Sequence, residues 1–332
     1  MTPAIDSRLN TATSYSSAAQ PSETLITAIL RALIYYDLFN YPLTAEEIAR
    51  NCSEKDCDVE AVEVTLRDLY LQGKVFRYER FYSVRDSEEI FLKRLNGNQS
   101  AKEVMKKVYR RAKLISNFPF VRGVCISGSL SKNYFDASCD ADFFIITEPN
   151  RLWICRTLLV FFKKIFLLNS KKYFCVNYFI DTESLEIPDK NIFTATEIVT
   201  LLPAYNYELY RNFYRENNWV KSFFPNCHPR VHNGTLETSD PALRRILEKL
   251  LGGNLGEWLD KFFFKSTLRR WRKKFGSQPH HEFELNMRSR RSVSKHHPQG
   301  FQFHVLKAYD ERISKFEEEF ELQLNDSSAI EI

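Results

Sequence analysis

The residues best suited to chemistry lie within one stretch. Val121-Arg-Gly-Val-Cys-Ile-Ser-Gly-Ser129 is followed, after a spacer of ten, by Asp140-Ala-Asp142 and the apolar run Phe-Phe-Ile-Ile. This pattern predicts a strand running into a Gly-Ser turn, then a second strand that opens on two acids. Alternate side chains on a strand share a face, so Asp140 and Asp142 are expected in one site. Two carboxylates that close are unfavourable unless a proton or a cation lies between them. Magnesium suits, because it takes one or two carboxylates and leaves its other positions to water and phosphates. Gly128 lets backbone approach a ligand closely, and a turn opening a helix near Leu130 directs free N–H groups at an anion. Phosphate on one side and metal on the other describe a site for a nucleoside triphosphate. The competing reading, a hairpin edge with solvated acids, leaves the strongly apolar strands on both sides without a reason.

Gly128-Ser129, the spacer and Asp140-x-Asp142 resemble the signature of the polymerase-beta-type nucleotidyltransferase superfamily. The resemblance covers residues 101–182, under a third of the chain. It implies that Gly128 and Ser129 hold a triphosphate and that Asp140 and Asp142 hold two magnesium ions. Those ions activate an acceptor hydroxyl and steady the departing pyrophosphate. The implied activity is transfer of a nucleoside monophosphate from a triphosphate to an acceptor of unknown kind: a small molecule, a protein or an RNA. Lys132, just past the turn, and Lys295, in Lys295-His296-His297-Pro298, are the cations assigned to phosphate.

Many members of that superfamily carry a third carboxylate on a later strand. Here the candidate strand runs from Lys172 to Asp181 and is rich in β-formers. Alternation puts Cys175, Asn177, Phe179 and Asp181 on one face. Asn177 occupies the central position and cannot act as a base, while Asp181 lies about 13 Å further along. Three arrangements remain: Asp181 enters through a bulge, two acids suffice with Asn177 lining the site, or the chain is catalytically weak. The second is the expectation. The third sustains an alternative, a non-catalytic interaction or regulatory protein that binds a partner or DNA.

The elements that must position these residues point to an α+β protein of two or three domains. The chain has 332 residues, 44% hydrophobic and 14% aromatic, with a formal net charge of +5. Its seven cysteines show no C-x-x-C spacing and read as reduced thiols, which fits a cytoplasmic protein. Residues 1–22 are Ser/Thr/Ala-rich with no apolar run, and read as a disordered tail rather than a secretory signal. The apolar segment 152–168 is interrupted by Arg156, Lys163 and Lys164 and is too short to span a bilayer. It reads as a core helix behind the catalytic sheet, and no membrane partner is expected.

Residues 23–85 form their own pattern. A periodic helix is followed by the capping box Thr44-Ala-Glu-Glu47, a helix capped by Asp58 and stopped by Gly73, and a hairpin about Glu79-Arg80. Three helices and a hairpin resemble a winged helix-turn-helix. The third helix presents Glu60, Glu63, Thr65, Arg67, Asp68 and Gln72, too acidic a set for DNA phosphates, so DNA binding is not expected. Residues 86–190 read as a leading helix broken at Gly97 and then the nucleotidyltransferase core. Residues 191–332 read as a helical domain whose stretch 261–300 holds eleven Lys/Arg against Glu282 and Glu284. That tract is either a solvated surface or an electrostatic funnel, and the acidic last helix is expected to dock on it.

Overall fold

A computed structural model describes residues 22–238, 241–276, 280–297 and 299–324. Apart from Ser22, the expected disordered tail lies outside the described residues. The Thr44 and Asp58 signals act where the sequence placed them, and Ser22, read as the end of the tail, proves to be a cap. Ser22 caps α1 (Glu23–Asp37), the reciprocal Thr44/Glu47 box opens α2 (Ala45–Asn51), and Asp58 caps α3 (Val59–Leu71). Gly73, at φ +70°, reverses the chain after α3. The hairpin strands β1 (Phe76–Tyr78) and β2 (Phe81–Ser83) turn through Glu79 at φ +51°. Thr65, expected on the outer face of α3, is instead buried and donates its hydroxyl to the Ala61 carbonyl.

α4 (Glu88–Ser116) is one helix of 29 residues, unbroken at Gly97. A Cβ at Gly97 would fall 2.2 Å from the Tyr134 ring, so the glycine marks a close approach of another segment and not a stop. The stripe Val108, Ala112 and Ile115 is buried as its spacing requires, and Lys106, Lys107, Arg110 and Lys113 are exposed.

The central sheet collects strands from half the chain: β3 (Val121–Ser127), β4 (Asp142–Thr147), β5 (Cys175–Asp181), β6 (Leu202–Tyr205), β7 (Ser289–Arg290) and β8 (Val293–Lys295). Their order is β6-β3-β4-β5-β8-β7. Only β4 and β5 are parallel, and α6 (Leu152–Phe166) supplies the crossover such a pair needs. Pro203 is tolerated because β6 is an edge strand. On one face α4, α6 and α10 (Gly253–Phe275) close a core around Phe143, Ile145, Val176 and Phe179. On the other, α7 (Ile192–Thr200) and α8 (Tyr207–Glu216) close a second core around Phe144, Ile146 and Ile180.

The segment from 191 onward is therefore not a separate helical domain. It contributes three strands to the sheet, and its last helix, α12 (Phe301–Phe320), inserts Val305, Tyr309, Ile313 and Phe316 into the core of α1–α3. Among the described residues α12 meets the basic tract through Gln302, which accepts from Lys295, and its acidic end is not seen docked there. Its apolar stripe finds α1 and α7 instead, because burial outweighs attraction between solvated charges.

Candidate functional site

Strand register brings the motif together. Ser127 pairs with Asp142 across β3 and β4, which leaves Gly128 directly beside that carboxylate. Gly128 has φ +68°, and a Cβ there would lie 2.7 Å from Asp142 Oδ2. Both facts demand glycine. The helix expected near Leu130 is a single turn, α5 (Gly128–Ser131), in which Ser131 Oγ donates to the Gly128 carbonyl at 2.8 Å.

The ten-residue spacer is held rigidly. Lys172 Nζ donates to the carbonyls of Asp136, Ala137 and Cys139 at 2.7, 2.7 and 2.9 Å. Asp136 accepts from the backbone of Ser138 and Cys139 and from Tyr134 Oη. Burial opposes the charge on Asp136, but these donors hold its carboxyl below the usual range.

β4 begins at Asp142, so Asp140 lies just before the strand and outside the cavity wall. Its charge nevertheless reaches Asp142. The Asp142 carboxyl is pushed up to about 6, first by burial and then by the charges of Asp140 and Glu197, against a hydrogen bond from Cys175. It is a group short of a cation or a proton.

On β5 a register shift opposite Phe143/Phe144 lets Asn177 turn its amide to Asp142, Nδ2 to Oδ1 at 3.0 Å. The same bulge corrects the expected alternation. Val176 and Phe179, three apart, enter one core, while Tyr178 and Ile180 enter the other. Asp181 therefore does not share a face with Asn177. It is buried opposite Thr147, where it accepts from Glu183 N–H, and the bulge carries it away from the site.

Gly128, Ser129, Lys132, Asp142, Asn177 and Lys295 line one cavity of about 490 Å³. Lys132 Nζ bonds Glu197 Oε1 at 2.7 Å and the Gly128 carbonyl at 3.3 Å. Lys295, opposite Tyr178 on β8, is buried and lies 3.4 Å from Asp189 Oδ2 and 2.9 Å from Gln302 Oε1. Burial lowers its pKa, and Asp189, also paired with Arg288 at 2.6 Å, opposes that shift. His297 lines the cavity with its pKa lowered to about 4 by burial, so it is neutral at pH 7. His296 turns away to Trp271, 4.7 Å between centroids.

Three parts of the wall escaped sequence reasoning. Glu197 on α7 is a carboxylate of the cavity, Asp189 anchors Lys295, and Tyr35, Tyr36, Phe39 and Tyr41 supply an aromatic wall from the N-terminal helices. Tyr41 Oη donates to the Lys132 carbonyl. No local signal marks these residues, since they meet the motif only through tertiary packing.

Both cavity lysines are ion-paired, so an incoming phosphate must displace a carboxylate to reach either of them. Among the described residues no group of three or more His, Cys, Asp or Glu forms a metal cage. Magnesium needs none, because one or two carboxylates with phosphates and water complete its shell. Asp142 offers one such carboxylate at the wall, and Asp140 lies just outside it. No protein-family model, curated protein or solved structure matches this chain.

Proposed function

We propose that the chain is a magnesium-dependent nucleotidyltransferase of the polymerase-beta type, moving a nucleoside monophosphate from a triphosphate to an acceptor hydroxyl with release of pyrophosphate. The observation that carries this reading is the seat of Gly128 against Asp142, a half-buried carboxylate with its pKa pushed up to about 6, at the wall of a ligand-sized cavity. Asp142 and Asp140 would hold the metal, which when bound supplies charge neutralisation and makes a hydroxyl a better nucleophile. Asn177 orients Asp142 through its amide. Gly128 and Ser129 present the turn to phosphate, and Lys132 exchanges Glu197 for the incoming anion. That exchange frees Glu197, a carboxylate from outside the motif, to accept the acceptor proton in place of the acid missing at Asn177.

The N-terminal helices, on this reading, close the cavity rather than read DNA, although their order resembles a winged helix. The exposed face of α3 retains Glu60, Glu63 and a single arginine, Arg67. The alternative, a degenerate core serving as an interaction protein, rests on Asn177 alone.

Calorimetry with ATP, GTP, CTP and UTP, with and without magnesium, tests the proposal on wild type and on Asp140→Asn/Asp142→Asn. Magnesium-dependent binding that the double variant loses supports it. Binding of none of the four, or an active double variant, overturns it.

A further inference from the structure

The helical layer on the opposite side of the sheet from α7 carries a surface that the transfer reaction does not use. On α9 (Ala242–Leu250) the inward residues are polar. Arg244 is buried, and Glu248 pairs with Arg122 at 2.8 Å. The apolar stripe Leu243, Ile246 and Leu250 points outward instead, every member more than half exposed. This is the reverse of a helix packed for its own core. α10 follows after two residues and repeats the spacing with Leu255, Trp258 and Phe262, all at least half exposed, Trp258 and Phe262 stacked at 5.7 Å. The exposed stripe of α10 then becomes cationic through Lys265, Arg269, Arg272 and Lys273. α6, packed alongside α10, ends similarly, with Phe166 and Leu168 exposed beside Lys164 and Lys171.

Carboxylates are sparse on this face, and the partly exposed Glu257 is neutralised by a lysine. No Asp or Glu occurs between Leu152 and Lys172. On α10, Glu257 is paired with Lys261 at 2.6 Å, and Asp260 is fully buried, accepting from the backbone of Trp153 and Ile154.

We propose that this face docks on an anionic phospholipid surface, with the apolar stripes entering the headgroup region and the flanking cations meeting lipid phosphates. Exposed apolar stripes flanked by cations mark an interaction site, and the occupant follows from what each candidate would leave unsatisfied. Nucleic acid would engage the cations and the rings but leave Leu243, Ile246 and Leu250 in water. A second copy meeting through a two-fold axis would set cations against cations. An anionic bilayer satisfies both halves, and Trp258 has the amphipathic ring that favours the headgroup level. No helix among the described residues is long and apolar enough to cross a membrane, so the contact is with the surface. The proposal is independent of the transferase reading.

Co-sedimentation of the full chain with vesicles of phosphatidylcholine and phosphatidylglycerol, against phosphatidylcholine alone, tests it. Binding is expected only with the anionic vesicles and should weaken as salt rises. Ile246→Asp/Trp258→Asp, at exposed positions and with circular dichroism as the control for folding, should reduce binding about tenfold or more. Lys265→Glu/Arg269→Glu/Arg272→Glu should do the same. A blue shift of tryptophan emission on binding should vanish in Trp258→Phe, because Trp153 and Trp271 are buried and Trp219 packs against the core on the other side of the sheet. No binding to anionic vesicles overturns the proposal, as does unchanged binding by both variants. Self-association or oligonucleotide binding lost in these variants, without vesicle binding, overturns it in favour of those partners.

Discussion

At the scale of single residues, Asp142 couples charge to stability. In the unfolded chain it titrates near 3.8 and in the folded chain near 6. Between those values the unfolded chain gives up its proton while the folded chain keeps it. Stability of the metal-free protein therefore falls as pH rises through this window and is not regained above it. Asp142→Asn should stabilise the metal-free protein at neutral pH, by up to about 3 kcal/mol, and be nearly neutral near pH 4. Urea denaturation at the two pH values reads the difference, and the same variant should have no turnover. Gly128→Ala sets strain against contact. Its φ alone costs about 1–2 kcal/mol, and its methyl group would displace the Asp142 carboxylate. Gly73→Ala shares the strain, at φ +70° with nothing within 4 Å. Both variants should lower the melting temperature, but only Gly128→Ala should lose magnesium-dependent nucleotide binding. Glu197→Gln should keep that binding while slowing turnover about 10²–10⁴-fold, read as a fall in kcat at unchanged nucleotide affinity.

At the scale of elements, helix propensity and packing disagree at Gly97. Alanine in place of glycine favours a helix interior by about 1 kcal/mol, so propensity alone predicts a stabilised Gly97→Ala. The Tyr134 ring occupies the space its methyl would need, and overpacking of this kind costs about 1–3 kcal/mol. The expected outcome is net destabilisation, measured by chemical denaturation, together with weaker nucleotide binding, because Tyr134 also lines the cavity. The same competition explains what the periodicity of α4 conveyed. Its buried stripe was legible because spacing records one face, whereas the continuity through Gly97 depends on a residue 37 positions later in the chain.

For the whole molecule, the N-terminal helices and α12 are bound together through one buried carboxylate. Asp37, at the end of α1, meets Arg85 Nε at 2.5 Å and Arg312 Nη2 at 3.0 Å, and its own side chain is 1% exposed. Either arginine alone can compensate it. Arg85→Ala and Arg312→Ala should each cost little, about 1 kcal/mol. The double variant leaves a buried charge without a cation and should cost about 3–5 kcal/mol, more than the two single effects added. An additive result in a double-mutant cycle would show that the carboxylate finds another partner. Because α1 also supplies Tyr35 and Tyr36 to the cavity, the double variant should weaken nucleotide binding along with stability.

The sequence by itself determined the α+β character, the caps of α2 and α3, the strands that flank the Gly-Ser turn, and the nearness of Gly128 to Asp142. These depend on interactions between residues close in the chain or on strict strand alternation, and both leave a local pattern. Tertiary structure decided the rest. A one-residue bulge in β5 turned Asn177 toward Asp142 and Asp181 away from it, and alternation cannot foresee a bulge. β6 and the β7–β8 hairpin are too short for period-2 patterning and exist because the sheet offers them edges. Glu197, Asp189 and the tyrosines of α1 reach the cavity from segments distant in the chain, brought there by burial of apolar faces, which acts without regard to sequence separation.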